Sequence, residues 1–281
     1  IAVISVGLAI KSALFPFHAW LPDAYGYSTV SSAAILSSLV SKGYIFLLFK
    51  IIYRVIGFEV FHDSKIVNIL FIFSLMGMIF GSLSAIKEND VRRMIAFSSI
   101  AQIGYIYMGI GMGTQAGMVA AVFHVLSHAA TKSLLFIAAI GLTDVSGGSR
   151  KLTELTGSGY RNKIAGVAFM VGSLSIVGVP LFSGFISKLL FSQAAVQNEG
   201  KMLPTLIVLG ISTILNAIYF MKTVIRIYTP VGETEYFGVT WRENKGYAAA
   251  LVCFMALNVM LGVFSQPIVD LIGVGLDSFS A

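Results

Sequence analysis

Between Lys65 and Lys87 the chain reads IVNILFIFSLMGMIFGSLSAI, without one charged side chain, and apolar stretches of similar length recur from end to end. A run of about twenty apolar residues suits a helix that satisfies its own backbone hydrogen bonds inside a ~30 Å hydrocarbon layer. Composition agrees: 57% of the 281 residues are hydrophobic and 11% charged, where soluble domains carry roughly 25% charge. The expected class is therefore an all-α, polytopic transmembrane helix bundle. The net charge of +6 then reads as an asymmetry between loops, not as a nucleic-acid footprint. A single cysteine, Cys253, excludes disulfides within the chain and cysteine-ligated zinc or clusters; in its apolar run it reads as a small buried residue. The opening IAVISVG has no signal-peptide pattern and reads as the inside of a helix, so a further N-terminal part is expected upstream.

Charge clusters and Gly/Pro/Asn signals divide the chain into about eight spans. These are 1–25 (broken at Phe15–Phe17), 29–55, 66–86, 93–112, 117–143, 163–197 (broken at Gly178–Gly184), 203–228 and 247–264, with an apolar tail to 280. Alternating the connections between two faces places Lys87, Arg92, Arg93, Arg150, Lys151, Arg161, Lys163, Lys222, Arg226, Arg242 and Lys245 on one side. Lys50, Arg54, Lys65 and Lys201 fall on the other. The richer face is assigned to the cytoplasm, and Lys222 and Arg226 read as snorkelling from a helix end.

Four lysines remain at mid-helix: Lys11, Lys42, Lys132 and Lys188. A central lysine costs about 2.5 to 3.5 kcal/mol on insertion scales, so four cost on the order of 10–14 kcal/mol. Such residues line a bundle interior or a hydrated cavity. In the stretch GLAIKSALFPFHAWLPDAYGYSTVSSAAILSSLVSK, Lys11 lies about 13 Å of helix from Trp20, an interfacial ring like His18. That spacing puts Lys11, and by the same ruler Lys42, near the midplane. No carboxylate lies at that depth to pair with either.

Two spans are interrupted, each beside a lysine. Pro16 in SALFPFHAW removes a backbone donor, and Gly178, Pro180, Ser183 and Gly184 in SIVGVPLFSGFISK make a stronger break before Lys188. Broken spans survive in lipid only where the freed backbone faces protein or water, and a pair of them points to a midplane transport site. Ordinary proline kinks are the competing reading.

In FHVLSHAATKSLLF, His124, His128 and Lys132 stand at i, i+4 and i+8, on one helix face. Histidine exchanges protons near neutral pH, so the line suits a proton relay. Two histidines on one helix face cannot ligate a haem from opposite sides. Ser98, Ser99, Gln102 and Tyr105 form a polar stripe that suits either packing or a water lining. Asp23 reads as a cap or a solvated residue, and Glu88, Asp90, Arg92 and Arg93 as a solvated helix start. The segment GLTDVSGGSRKLTELTGSG reads as a cytoplasmic loop without a phosphate-binding pattern.

The run K-x4-P-F-H-x-W-L-P-D-A-Y with L-V-S-K after it, H-x3-H-x3-K, and G-V-P-L-F-S-G-F-I-S-K resemble the antiporter-like membrane subunits. That family is shared by respiratory complex I (NADH-quinone oxidoreductase), Mrp-type multisubunit cation/proton antiporters and membrane-bound hydrogenases. The resemblance implies the C-terminal eight helices of a fourteen-helix inverted-repeat fold. Residues 1–55 would end the first repeat, 66–228 would form the second, and 247–280 the C-terminal helix and tail. It also implies Lys11, Lys42, His124, His128, Lys132 and Lys188 as the relay, with an acidic partner of Lys11 upstream of residue 1.

The expected function is a proton-translocating subunit of a membrane complex, without cofactor or metal on this chain. Expected partners are other membrane subunits, lipid and protons, with sodium under the exchange alternative, but no nucleic acid. A sodium/proton exchanging subunit and a non-conducting scaffold are the alternatives, and the expected location is a bacterial or archaeal cell membrane.

Overall fold

The computed structural model describes residues 1–231 and 244–280. Helices α1 (Ala2–Ser12) and α2 (Leu21–Tyr27) are the halves of an interrupted first span. Helices α3 (Ser31–Ile56), α4 (Ile66–Lys87), α5 (Val91–Met112) and α6 (Gln115–Asp144) are each long and apolar enough to cross a membrane. A second interrupted span follows as α7 (Lys163–Val177) and α8 (Ser183–Val196). Then come two more helices of spanning length, α9 (Glu199–Ile227) and α10 (Lys245–Val263), and finally α11 (Ser265–Ser280). Six continuous and two broken spans are the eight expected, and no strand occurs among the described residues.

Helix starts follow the sequence signals. Asp90, Thr114, Asn162 and Asn244 cap α5, α6, α7 and α10 through their side chains, each accepting from backbone N–H groups that the first turn leaves free. The centre of the bundle is α5, 94% of whose apolar window is buried, with α6 at 78%; α9 and α10 are buried over only 28%. Because lipid is as apolar as a leucine core, this exposure says which helices are central and which present a face to lipid.

Two expectations about the spans need correction. The first break is longer than Phe15–Phe17: α1 already ends at Ser12, with Ala13 in the left-handed region at φ 60 as its C-cap, and the Phe15–Pro16 peptide is cis. Cys253 is exposed on α10, not buried; an apolar neighbourhood in sequence does not distinguish a lipid-facing site from a core one. The tail is a helix that docks back onto the bundle. Gln115 Nε2 donates to Asp277 at 3.0 Å, and the Arg54 guanidinium lies 5.5 Å from the Phe279 ring centre.

The loops join as the alternation requires. At one end Arg150 bonds Gly26 O at 2.8 Å and Asp90 at 3.2 Å. At the other, Asn198 donates to Met112 O at 3.0 Å and Lys201 to Gly111 O at 2.7 Å. Arg242 lies outside the described residues. The start of α5 is not a solvated cluster either. Arg92 is 8% exposed and donates to the Tyr25 and Ser28 carbonyls, while Arg93 pairs with Asp23 and with Glu88 at 2.9 Å. The cluster is a clasp holding the broken first span against α5.

Burial alone would raise the Glu88 carboxyl. Hydrogen bonds from Arg93 and from the Asn89 and Asp90 amides outweigh it and hold the group below its ordinary value. A depressed carboxylate stabilises the fold above its unfolded pKa, and that contribution is lost as pH falls through the folded value. The thermal midpoint in detergent should therefore fall as pH drops below about 4.5, and Glu88→Gln should remove that part of the fall. A Glu88→Gln profile identical in shape to the parent would rule the clasp out as the acid-sensitive element.

Candidate functional site

At the second break, α7 stops at Val177 because Gly178 turns left-handed at φ 89. A helix that ends inside the bundle leaves its last carbonyls without partners. Lys188, one turn into α8, reaches back and donates its Nζ to Val177 O at 2.6 Å. The C-terminal end of α7 carries partial negative charge, which favours an ammonium there. Gly178 is needed twice over: its φ suits glycine, and a Cβ would stand 3.1 Å from the Lys188 Nζ. The same break gathers hydroxyls. Ser127 donates to Ser183 at 2.8 Å, and Thr131, Ser175 and Ser183 all reach Asn258 Oδ1, at 2.6, 3.0 and 3.2 Å.

Across from this break, α6 carries the expected line. The His124 and His128 rings stack 6.0 Å apart, only 2° from parallel. His124 Nδ1 meets Ser187 Oγ at 2.5 Å, whereas His124 Nε2 and both ring nitrogens of His128 have no hydrogen-bond partner. These nitrogens border a cavity of about 10 Å³ lined also by Gln102, Ser127, Thr131 and Lys188, which is room for about one water. Gln102 Nε2 is likewise buried and unpartnered. Lys132 is fully buried and donates to Ile95 O at 2.9 Å and to Ser98 Oγ.

Lys42 completes the buried set from α3. Residues Leu36–Val40 form a π-helical turn, a local widening of the i→i−4 ladder that recurs at functional sites. Lys42 Nζ donates to Ser37 O in that turn and to Ser41 Oγ at 3.2 Å. The turn packs against α6, so α6 lies between Lys42 on one side and Lys188 on the other.

Three of the four mid-helix lysines are thus buried, and they donate to carbonyls and hydroxyls. The ion pairs among the described residues all lie at helix ends or loops. Lys11 is different. It is exposed, in the last turn of α1, and borders a cavity of about 370 Å³ shared with Trp20, Tyr25, Ser41 and Tyr44. The structure therefore brings Lys42, His124, His128, Lys132 and Lys188 around α6 and leaves Lys11 at the edge. It also adds Ser187 and Asn258, which carry no sequence signal beyond being polar residues in apolar runs, and gives Ser183 of the break a bonding role.

A family model described as NADH:quinone oxidoreductase/Mrp antiporter, transmembrane, matches residues 1–215. The chain belongs to that family. It is 34% identical over 225 residues to NADH-quinone oxidoreductase subunit N of Desulforudis audaxviator, which covers 80% of this chain and 44% of that protein. A chain of the Mrp complex from a Dietzia species superposes with a TM-score of 0.87 at 25% identity, covering 99% of this chain and 59% of its own. A chain of the membrane-bound sulfane sulfur reductase, an archaeal respiratory membrane complex, gives 0.84 at 28% identity, with 98% and 54% covered. The chain spans about half the length of the relatives it matches. Its structural neighbours sit in multisubunit membrane complexes, and a multi-pass location in a bacterial cell membrane is consistent with the family and with the bacterial relatives.

Proposed function

We propose that this chain is the proton-conducting part of an antiporter-like subunit in a larger membrane complex. Protons pass from Lys42 along the line of Lys132, His128 and His124 on α6 to Lys188, which shares the cavity with both histidines. The observation that carries this reading is the set of buried lysines without a carboxylate partner, one of which, Lys188, borders a water-sized cavity together with two part-unpartnered histidines. Burying an ammonium against neutral partners is expensive, whereas a single water bridging imidazole and amine can hand on a proton. Lys11 marks the mouth on the α1 side, where the cavity it borders reaches Ser41, itself bonded to Lys42.

The paired breaks support the inverted-repeat division. Both α1 and α7 end in a left-handed residue, Ala13 and Gly178, and each has a lysine at the break. We assign 1–55 to the first repeat, 66–228 to the second, and 247–280 to the C-terminal helix and tail.

Moving one proton against 100 mV requires about 2.3 kcal/mol. That work comes from partner subunits or from an exchanged cation. In vesicles of the membranes that contain the protein, Lys42→Met should lower proton translocation by on the order of a hundredfold, the scale of losing a proton-transfer group. Parental flux in that variant would favour a scaffold role. Flux that requires sodium in the parent would favour cation exchange.

A further inference from the structure

The run W-L-P-D-A-Y ends in Tyr25 on α2, a buried residue with no part in the relay described above. The last carbonyls of a helix lack partners within it, and at the end of α2 two guanidiniums supply them. Arg92, at the start of α5, donates to the Tyr25 and Ser28 carbonyls, and Arg150 donates to Gly26 O at 2.8 Å. The Tyr25 main chain is therefore anchored at the face that carries most of the basic loop residues. Its ring leads into the bundle, where it meets Phe136 of α6 edge-on at 6.1 Å between centres, one turn beyond Lys132. Its hydroxyl donates to Leu36 O at 3.2 Å and lies beside Ser41.

Leu36 opens the π turn of α3. Its carbonyl also accepts from Ser41 N, five residues on, where an α-helix would bond Val40 N. Such a wide turn admits one extra residue, and each residue rotates a helix by about 100°. The Lys42 amine depends on that rotation, because it donates to Ser37 O inside the turn and to Ser41 Oγ just after it. Were the turn to relax to α-helix, Lys42 would swing by about that angle relative to Ser37. We propose that Tyr25 is a positioning residue for Lys42: its hydroxyl braces the π turn at Leu36 and so fixes where the Lys42 amine stands. The inference rests on the relay reading above and adds to it the part that aims the first lysine. Arg92 and Arg150 hold the other end of the brace. The clasp at the loop face and the lysine inside the bundle are thus joined through one side chain, wedged against Phe136.

Tyr25→Phe keeps the ring, the Phe136 contact and the main-chain bonds from Arg92, and removes only the hydroxyl. Leu36 O keeps its bond from Ser41 N, so the protein should accumulate as the parent does. In membrane vesicles, proton translocation should fall by about two- to tenfold, the scale of one such hydrogen bond. Its pH profile should move to lower pH by roughly 0.3–1 unit, because Ser37 O and Ser41 Oγ are the acceptors that favour the Lys42 ammonium. Lost packing alone would scale the flux alike at every pH. Replacing Tyr25 by p-aminophenylalanine returns a donor to the end of the ring and should restore both level and profile. Flux lowered equally at every pH, or no recovery with the aminophenyl ring, overturns the brace. Parental level and profile in Tyr25→Phe, alongside lost flux in Lys42→Met, overturn the brace and leave the relay standing. Parental flux in Lys42→Met overturns the relay, and the brace with it.

Discussion

Lys188→Met should lower proton translocation by on the order of a hundredfold or more while the protein still assembles in the membrane. Methionine fills nearly the same volume and removes a buried charge. The fold loses one donor to Val177 O, a penalty of about 1–3 kcal/mol, and gains back the cost of burying an ammonium. Function has no such compensation, because Lys188 is the group that joins the α6 cavity to the broken helix. Lys188→Arg separates charge from proton transfer. A guanidinium can still donate toward Val177 O and complement the end of α7, but it cannot release its proton. If the relay operates, arginine is as inactive as methionine. If Lys188 serves only to neutralise a helix end, arginine restores flux. Flux measured in vesicles, normalised to protein level, decides between these.

Much of this arrangement was legible in the sequence, and what was legible was local. Apolar length gives the spans whatever they pack against, and helical spacing alone puts His124, His128 and Lys132 on one face. Gly178, Pro180 and Gly184 announce the second break through backbone chemistry. What was hidden depends on which helix meets which. Asn258 sits in an ordinary apolar run, and only the packing of α10 against α7 and α8 brings it to the hydroxyls of the break. Arg92 reads as solvated because its neighbours are charged, yet its partners are carbonyls more than sixty residues away. Cys253 shows the same limit from the other side: in lipid, an apolar residue says nothing about which way it faces. The π turn at Leu36–Val40 has no composition of its own, so the local setting of Lys42 came only from the structure.

Gly184→Ala should be among the most damaging single substitutions in this chain, although it adds one methyl group. At Gly184 the start of α8 lies against the last turn of α7, and a Cβ would run into the Ser175 carbonyl, with its carbon only 2.8 Å away. A backbone carbonyl cannot swing aside as a flexible side chain can, so the two half-helices must separate. Overpacking of this kind costs about 1–3 kcal/mol and sometimes more. Here separation also strains the bonds among Ser175, Ser183 and Asn258, so the upper end of that range applies. The effect should appear as a clearly lower thermal midpoint in detergent and a reduced amount of protein in the membrane. Gly210→Ala is the matched control: nothing lies within 4 Å of its Cβ position on α9, and alanine gains roughly 0.5–1 kcal/mol over glycine in a helix interior. If the two variants melt together, the close approach of α7 and α8 is not what holds the break in place, and the position of Lys188 must be set by something other than this contact.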